Sequence, residues 1–348
     1  MQKRLQEINI IRPIVITALV LLHSFAIFYG AWPMPDGVDA IKLYNLLPCF
    51  IRGFLMETIA FVAGYVFSYQ VNDLGRVYTL GGIVKKKFIR LLVPCWILGF
   101  VYALCFSRDE PVIGTTVAIL NGIGHLWYLT MLFWCFVVLF FIHKYIGKNT
   151  KRIFICFFPL LMLSCVPIPV VMLLGFDKMP HFLFFVYLGY VSYINRLKVY
   201  DYLRDKRLML FLIYTVLVVL SFYVLPEIRK DDGMTVLNHM FVYIALKISL
   251  CLTAMSGCML LYVVVVGFLK KKENGYVTPE FVNRANNICY GVYVFHQFIL
   301  NWIYYNTNIP LLINSYILPI LAFVVTLSLS VFFTIVFTKF RFGRFLVG

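Results

Sequence analysis

The sequence predicts an all-α, polytopic membrane protein with about ten transmembrane helices. Of its 348 residues, 62% are hydrophobic and only 13% are charged, and the mean hydropathy is +0.89. Soluble domains carry roughly 25% charged residues, so a soluble fold is excluded. Ten apolar segments follow one another with short connections, which leaves too little polar sequence for a separate soluble domain. We therefore predict a single transmembrane domain over residues 1–348.

Each of the ten segments approaches the roughly 20 apolar residues that a membrane-spanning helix needs. They cover residues 8–29, 46–70, 88–106, 125–142, 153–174, 181–195, 208–226, 240–268, 286–304 and 314–338. The sixth segment is short and the eighth is long, and the eighth includes a lysine, Lys247, to which we assign no function.

The connections between these segments alternate in positive charge. If the N-terminus is cytoplasmic, most of the 31 lysine and arginine residues fall in inner connections and few in outer ones, as the positive-inside rule requires. We therefore place both termini in the cytoplasm and the chain in the inner (cytoplasmic) membrane. The net charge of +16 follows from this inner face, and no nucleic-acid partner is needed to explain it.

The first segment carries an arginine and a histidine in the stretch RPIVITALVLLH. Arg12 and His23 are eleven residues apart, so they project from nearly the same face of a helix and are separated by roughly 16 Å along its axis. Buried ionisable groups are costly in a bilayer and commonly functional. The structural alternatives are an arginine that extends to the inner interface and a histidine that bonds a neighbouring helix.

The second segment contains a carboxylate, Glu57, within METIAFVAGY. A carboxylate at this depth requires a proton, a cation or hydrogen-bond donors, and His23 is a candidate partner. The alternative is a protonated glutamate bonded to backbone in a tight helix contact. The basic run KKKFIRLLVP comes next and places Lys87 and Arg90 one turn apart at the inner end of the third segment, where they can bind phosphates or simply follow the positive-inside rule.

Aromatic and histidine side chains mark the fourth and ninth segments. GHLWYL puts His125 and Trp127 at the outer interface, where Trp127 suits stacking on a sugar ring or an ordinary aromatic belt. NNICYGVYVFHQF puts Tyr293 and His296 near the middle of the ninth segment. The structural alternative for His296 is a hydrogen bond to a neighbouring helix. The nine cysteines form no CxxC pattern and are interpreted as small core residues, so we expect no metal site.

Several of these patterns resemble the acyltransferase-3 family of multi-spanning membrane O-acyltransferases, especially its fucose 4-O-acetylase-like branch. Arg12 and His23 match the family's R-x10-H pattern, and residues 57–65 resemble its acidic-then-FFxxSGY segment. KKKFIRLLVP resembles its RxxR-then-proline stretch, with Lys87 in place of the first arginine. GHLWYL and YGVYVFH resemble its HLWFL and SYxIYLxH segments.

The resemblance implies transfer of an acetyl or other short acyl group from cytosolic acyl-CoA to a hydroxyl of a surface-polysaccharide or lipid-linked glycan sugar. His23 is expected to be the general base and Glu57 to orient it, with Arg12, Lys87 and Arg90 holding the acyl-CoA. His125, Trp127, Tyr293 and His296 are candidates for acceptor binding or oxyanion stabilisation. The expected partners are acyl-CoA, the glycan acceptor and the bilayer, with no bound cofactor.

Two other classes fit the residues. A transporter or flippase for a lipid-linked sugar also needs many spans, interior ionisable groups and a basic inner face, but the sequence shows no two-fold repeat. An inactive family member that serves in assembly or sensing need not keep both His23 and Glu57. Direct transfer and an acyl-histidine intermediate both stay open, as does the oligomeric state.

Overall fold

The computed structural model describes residues 5–106, 111–147, 149–165, 174–230, 233, 235–271 and 278–348. These residues form 17 α-helices and, throughout the described ranges, no β-strand. The α-helices are α1 Gln6–Ser24, α2 Leu46–Arg52, α3 Leu55–Asn72, α4 Leu80–Lys87, α5 Val93–Phe106, α6 Val112–Asn121, α7 Trp127–Ile146, α8 Thr150–Cys165, α9 Met179–Ile194, α10 Arg196–Leu203, α11 Arg207–Val219, α12 Leu225–Arg229, α13 Val236–Lys270, α14 Glu280–Tyr305, α15 Ile309–Leu312, α16 Leu318–Phe337 and α17 Arg341–Val347. The predicted all-α fold class is confirmed.

Seven helical segments among the described residues are long and apolar enough to cross a membrane. They are Gln6–Ser24, Lys42–Asn72, Leu80–Phe106, Gly124–Ile146, Arg196–Arg229, Val236–Lys270 and Leu318–Phe337. The other three predicted segments are also helical, as α8, α9 and α14, although residues 166–173 of the fifth segment lie outside the described residues. The chain is therefore a multi-pass membrane protein, and its orientation in the bilayer stays a prediction.

The boundaries differ from the predicted ones where the chain turns or bends. The first helix ends at Ser24 instead of residue 29, because residues after it fold into a tight turn that uses Gly30 at φ +74°. The second segment is divided at Gly53 into α2 and α3. The eighth is one 35-residue helix, α13, in which Lys247 is half-buried with its Nζ 5.4 Å from the centre of the Tyr243 ring.

The helices fall into two compact units. Unit 1 comprises Met1–Leu55 and Phe268–Gly348, and unit 2 comprises Met56–Gly267. In unit 1, α1, α14 and α16 pack together around a buried cluster that includes Ile303 and Leu318. Gly291 of α14 lies against α16 so closely that a Cβ there would be 2.3 Å from Thr334 Cγ2. Small residues at such contacts are a common way to join helices in membranes.

In unit 2, the short helix α9 lies in the core. Thirteen of its sixteen residues are buried, so this helix packs against protein on nearly all of its sides. Two glycines bring α3 and α9 into backbone contact: a Cβ on Gly64 would lie 1.8 Å from the Val186 carbonyl oxygen, and one on Gly189 would lie 1.9 Å from that of Phe61. The two helices therefore cross at these glycines.

The direction of α3 relative to α9 follows from a second contact. Glu57 precedes the crossing by about six residues on α3, and His181 precedes it by about six residues on α9, yet their side chains bond to each other. An antiparallel pair would separate these residues by roughly 18 Å. The helices consequently run parallel, and their N-terminal ends lie side by side. On the surface of the unit, by contrast, large apolar side chains of α11 are exposed, as expected for a helix that faces lipid. They include Leu208, Phe211 and Val216.

Candidate active site

Arg12 and His23 both lie on α1, as the spacing predicts. Arg12 is half-buried and precedes Pro13, the one proline inside this helix. The helix that carries it packs against α14 in unit 1. His23 is the penultimate residue of α1 and is half-buried. Roughly 16 Å of helix axis separates the two side chains.

His296 on α14 has a fixed protonation pattern. Its side chain is fully buried, and its Nδ1 lies 2.5 Å from the backbone carbonyl oxygen of Tyr293, one turn earlier on the same helix. A carbonyl oxygen only accepts hydrogen bonds, so Nδ1 of His296 must carry the proton and donate it. A neutral imidazole has a single N–H, and therefore Nε2 of His296 carries a lone pair.

This lone pair determines the protonation of His23. His23 Nδ1 lies 2.9 Å from His296 Nε2, and the planes of the two rings are inclined by only 19° with centroids 5.0 Å apart. Because Nε2 of His296 accepts, Nδ1 of His23 must donate. In the neutral pair, the proton of His23 is thus on Nδ1 and its Nε2 has the lone pair. A chain of two hydrogen bonds that begins at a backbone carbonyl prepares His23 Nε2 to accept a proton.

Two aromatic residues near His23 were not singled out from the sequence. Trp32 stacks on the His23 ring with centroids 5.8 Å apart and planes inclined by 8°. The tight turn after α1 holds Trp32 there, since the amides of Ala31 and Trp32 both donate to the carbonyl oxygen of Ala26. Tyr304 donates its hydroxyl proton to the carbonyl oxygen of Ser24. The Trp32 ring therefore packs on the candidate base, and the sequence signal for it was GAWP directly after an apolar span.

Glu57 belongs to unit 2, where it lies in the first turn of α3. Its Oε1 is 3.1 Å from Nε2 of His181, whose Nδ1 lies 3.3 Å from the carbonyl oxygen of Ser164 near the end of α8. Its Oε2 is buried and has no hydrogen-bond partner among the described residues. The negative charge of a carboxylate is also favourable at a helix N-terminus.

The sequence reasoning missed His181. This residue opens the sixth apolar segment in MPHFLFF, and an ionisable side chain at the start of a span was the signal available. The structure gives His23 and Glu57 each a different histidine partner within its own unit, His296 and His181 respectively. That Glu57 orients His23 stays a prediction.

Lys87 and Arg90 lie where the chain changes from an α-helix to a π-helix. Lys87 ends α4, and Arg90 lies within a π-helical turn, Phe88–Leu92, that leads into α5. The Nζ of Lys87 lies 3.2 Å from the centre of the Phe136 ring on α7, while Arg90 is exposed. A cation over a ring face retains its charge and is held in place, so the Lys87 ammonium group is positioned by α7.

His125 and Trp127 lie at the start of α7. His125 is buried in a 3₁₀ turn, Gly124–Leu126, and Trp127 is half-buried as the first residue of the helix. The Trp127 ring packs on Phe182 of α9 with centroids 5.6 Å apart. Tyr293 lies in unit 1, with its ring 5.9 Å from that of His296. The four acceptor candidates are therefore distributed over two units.

Comparison with known proteins gives one match. The family model of the acyltransferase-3 family, described as an acyltransferase domain, matches residues 5–339, nearly the whole chain. No curated protein and no solved structure matches the chain.

Proposed function

Because the chain belongs to the acyltransferase-3 family, we propose that it transfers an acetyl or other short acyl group from cytosolic acyl-CoA to a sugar hydroxyl. The acceptor is a surface polysaccharide or a lipid-linked glycan, and the membrane is the inner (cytoplasmic) membrane. The observation that supports this proposal most directly is the hydrogen-bond chain from the Tyr293 carbonyl through His296 to His23. In this chain of hydrogen bonds, Nε2 of His23 has a lone pair and can act as a base.

The proposed reaction needs one base that later returns the proton. His23 Nε2 accepts the proton of the sugar hydroxyl as the hydroxyl oxygen attacks the thioester carbonyl carbon. The tetrahedral intermediate then collapses, and the carbon–sulfur bond breaks. His23 gives the proton to the departing sulfur, so the products are the sugar ester and free CoA, with no net proton change. Imidazole suits both transfers because its ordinary pKa lies near neutrality.

His296 is the positioning residue in this scheme. Its Nε2 accepts from His23 Nδ1 both before and after His23 Nε2 gains a proton, so the ring does not need to rotate during the reaction. In serine hydrolases a carboxylate performs this function and also stabilises the cation. A neutral histidine supplies orientation and the correct tautomer but no negative charge. Trp32 also stacks on the His23 ring.

Six other predicted residues are assigned to substrate binding, and Glu57 keeps its predicted role of orienting His23. Arg12, Lys87 and Arg90 contact the phosphates or the pantetheine arm of acyl-CoA, since guanidinium and ammonium groups bind phosphate through charged hydrogen bonds. His125, Trp127 and Tyr293 serve the acceptor or the oxyanion. Acyl-CoA is a substrate in this scheme, and no resident cofactor is proposed.

The test is acyl-CoA-dependent product formation by the purified full chain in lipid nanodiscs. Radiolabelled acetyl-CoA is supplied together with a glycan extract from the cells, and labelled esters are identified by mass spectrometry. We expect labelled glycan only when acyl-CoA and the wild-type chain are both present. Movement of an unmodified lipid-linked sugar across the bilayer without any ester formation would instead identify a flippase and overturn the proposal.

A further inference from the structure

The first turns of three helices in unit 2 meet in a second polar site. Five residues form it, and we refer to them as the Glu57 cluster: Glu57 on α3, Trp127 and Tyr128 on α7, and His181 and Phe182 on α9. Phe182 joins the set, since its ring contacts those of Trp127 at 5.6 Å, Tyr128 at 5.8 Å and His181 at 5.0 Å. Tyr128 also donates its hydroxyl proton to the carbonyl oxygen of Met56, which fastens α7 to α3.

The acid and the histidine of this cluster together carry no net charge. Nδ1 of His181 faces a carbonyl oxygen and so must donate its proton. One further proton lies in the 3.1 Å contact between Nε2 and Glu57 Oε1. If it is on nitrogen, a cationic histidine faces a carboxylate; if it is on oxygen, both groups are neutral. Either arrangement sums to zero, so the pair offers no net attraction to a cation.

The oxygen of this pair that takes no part in the contact with His181 is Glu57 Oε2. It is buried, lacks a donor among the described residues, and is a hydrogen-bond acceptor in either protonation state. A buried acceptor without a donor is unfavourable, and a hydroxyl that donates to it removes that cost. Metal binding is a poor alternative, because no three His, Cys, Asp or Glu side chains gather in the described part of the chain.

The aromatic part of the cluster narrows the class of ligand. Trp127 is half-buried, and a neighbouring ion pair, Lys178 with Asp177 at 3.4 Å, brings the Lys178 Nζ to 5.3 Å from the Trp127 ring centre. The Trp127 ring thus lies beside two pairs of hydrogen-bonding groups, each without net charge: Glu57 with His181, and Lys178 with Asp177. This combination matches a sugar, which presents apolar C–H groups on its faces and hydroxyls at its edge. A purely apolar ligand would leave Glu57 Oε2 unpaired.

We propose that the Glu57 cluster binds a neutral sugar, with one sugar hydroxyl donating to Glu57 Oε2 and Trp127 packing against the ring. The inference rests on the proposed function, because it identifies the acceptor as a sugar, and it gives Glu57 and His181 a role in acceptor binding. His181 is a positioning residue, since both of its nitrogens are engaged by protein and it fixes the direction of the Glu57 carboxyl group.

The experiment is saturation-transfer NMR of methyl glycosides of glucose, galactose, mannose and N-acetylglucosamine with the full chain in nanodiscs. This method detects the millimolar affinities expected for single sugars. For wild type we expect saturation of the C–H protons of at least one glycoside. Ethylammonium serves as the cationic probe and should neither bind nor displace the sugar.

Three variants make the result specific. In Glu57→Gln the amide can donate to His181 Nε2 and place its carbonyl oxygen where Oε2 lies, so the affinity should stay within about fivefold of wild type. Glu57→Met has similar size but no acceptor, and we expect at least about a tenfold loss. Glu227→Gln, on the exposed glutamate of α12 that pairs with Lys230, is the matched control and should bind as wild type does.

The outcomes separate the two proposals. Sugar binding that is lost in Glu57→Met but retained in Glu227→Gln supports the inference even if no acyl transfer is ever detected. The inference is overturned if no glycoside binds to wild type, if Glu57→Met binds as well as wild type, or if ethylammonium displaces the sugar. Thermal unfolding of each variant shows whether it is folded, and Glu57→Gln keeps the test valid if Glu57→Met is not.

Discussion

Units 1 and 2 each contain a histidine hydrogen-bonded to another ionisable side chain, but the two pairs leave different atoms available. In unit 1, His23 donates to a neutral histidine, and its own Nε2 keeps a lone pair. In unit 2, His181 uses one nitrogen for a backbone carbonyl and the other for Glu57, and the free atom is a carboxyl oxygen.

The difference between the two pairs shows that the hydrogen-bond partner of a histidine decides which chemistry that histidine can perform. A histidine whose partner only accepts can still take up a proton at its second nitrogen, which is what a general base requires. A histidine with both nitrogens occupied cannot, and it serves to hold the group that it contacts. The same residue type is thus a candidate base in unit 1 and a positioning residue in unit 2.

The largest expected effect is that of His23→Gln. Loss of the base should reduce the rate of acyl transfer by about 10³-fold, because general-base catalysis contributes roughly that much. The rate is measured with labelled acetyl-CoA and glycan acceptor at matched amounts of inserted protein. His239→Gln, on a half-buried histidine of α13, is the control. A His23→Gln chain with full activity would remove His23 from the chemistry.

A smaller loss is expected when the partner of His23 is changed. His296→Phe keeps a ring but removes the acceptor, so His23 can adopt the wrong tautomer, and we expect a rate about 10²-fold lower. His296→Gln provides an amide oxygen that accepts from His23 Nδ1 and should restore part of the rate. A purely structural role for His296 predicts no such recovery, so equal rates for the two variants at equal stability would exclude the positioning role.

The contact between α3 and α9 that supports the unit 2 pair is tested by Gly189→Ala. The new Cβ would lie 1.9 Å from the carbonyl oxygen of Phe61, and relief of that overlap must move a backbone. We expect a loss of about 2 kcal/mol in the free energy of unfolding and a Tm lower by about 4 °C. Gly81→Ala is the control, because a Cβ there has no neighbour within 4 Å. Equal Tm values for both variants would show that the helices do not need this close approach.

The smallest expected effect is on the binding of acyl-CoA, the acyl donor. Replacing Lys87 and Arg90 together by glutamine should raise the KM for acyl-CoA about tenfold with little change in kcat, since two charged contacts to phosphate are lost. Replacing Lys339 and Arg341 by glutamine removes the same charge from an exposed part of unit 1. If both double variants raise the KM equally, the basic residues act only through overall charge, and the specific assignment is wrong.

Local patterns predicted much of the fold. Each of the ten apolar segments contains an α-helix among the residues described, and Arg12 and His23 share one helix because the period of an α-helix is fixed. Helix ends were less predictable: a turn through Gly30 shortens α1, and a break at Gly53 places Glu57 in a first helical turn instead of mid-span. These endings depend on packing, which a hydropathy pattern does not record.

The sequence by itself determined that the chain is a helical membrane protein, that several ionisable residues lie within its apolar segments, and that their pattern resembles an acyltransferase. Only the tertiary structure decided their partners. His23 meets a residue 273 positions away and Glu57 one 124 positions away, and no local signal specifies contacts at such separations. The physical reason is that a hydrogen bond depends on where whole helices cross, and these crossings are set by the packing of side chains and glycines along their full length.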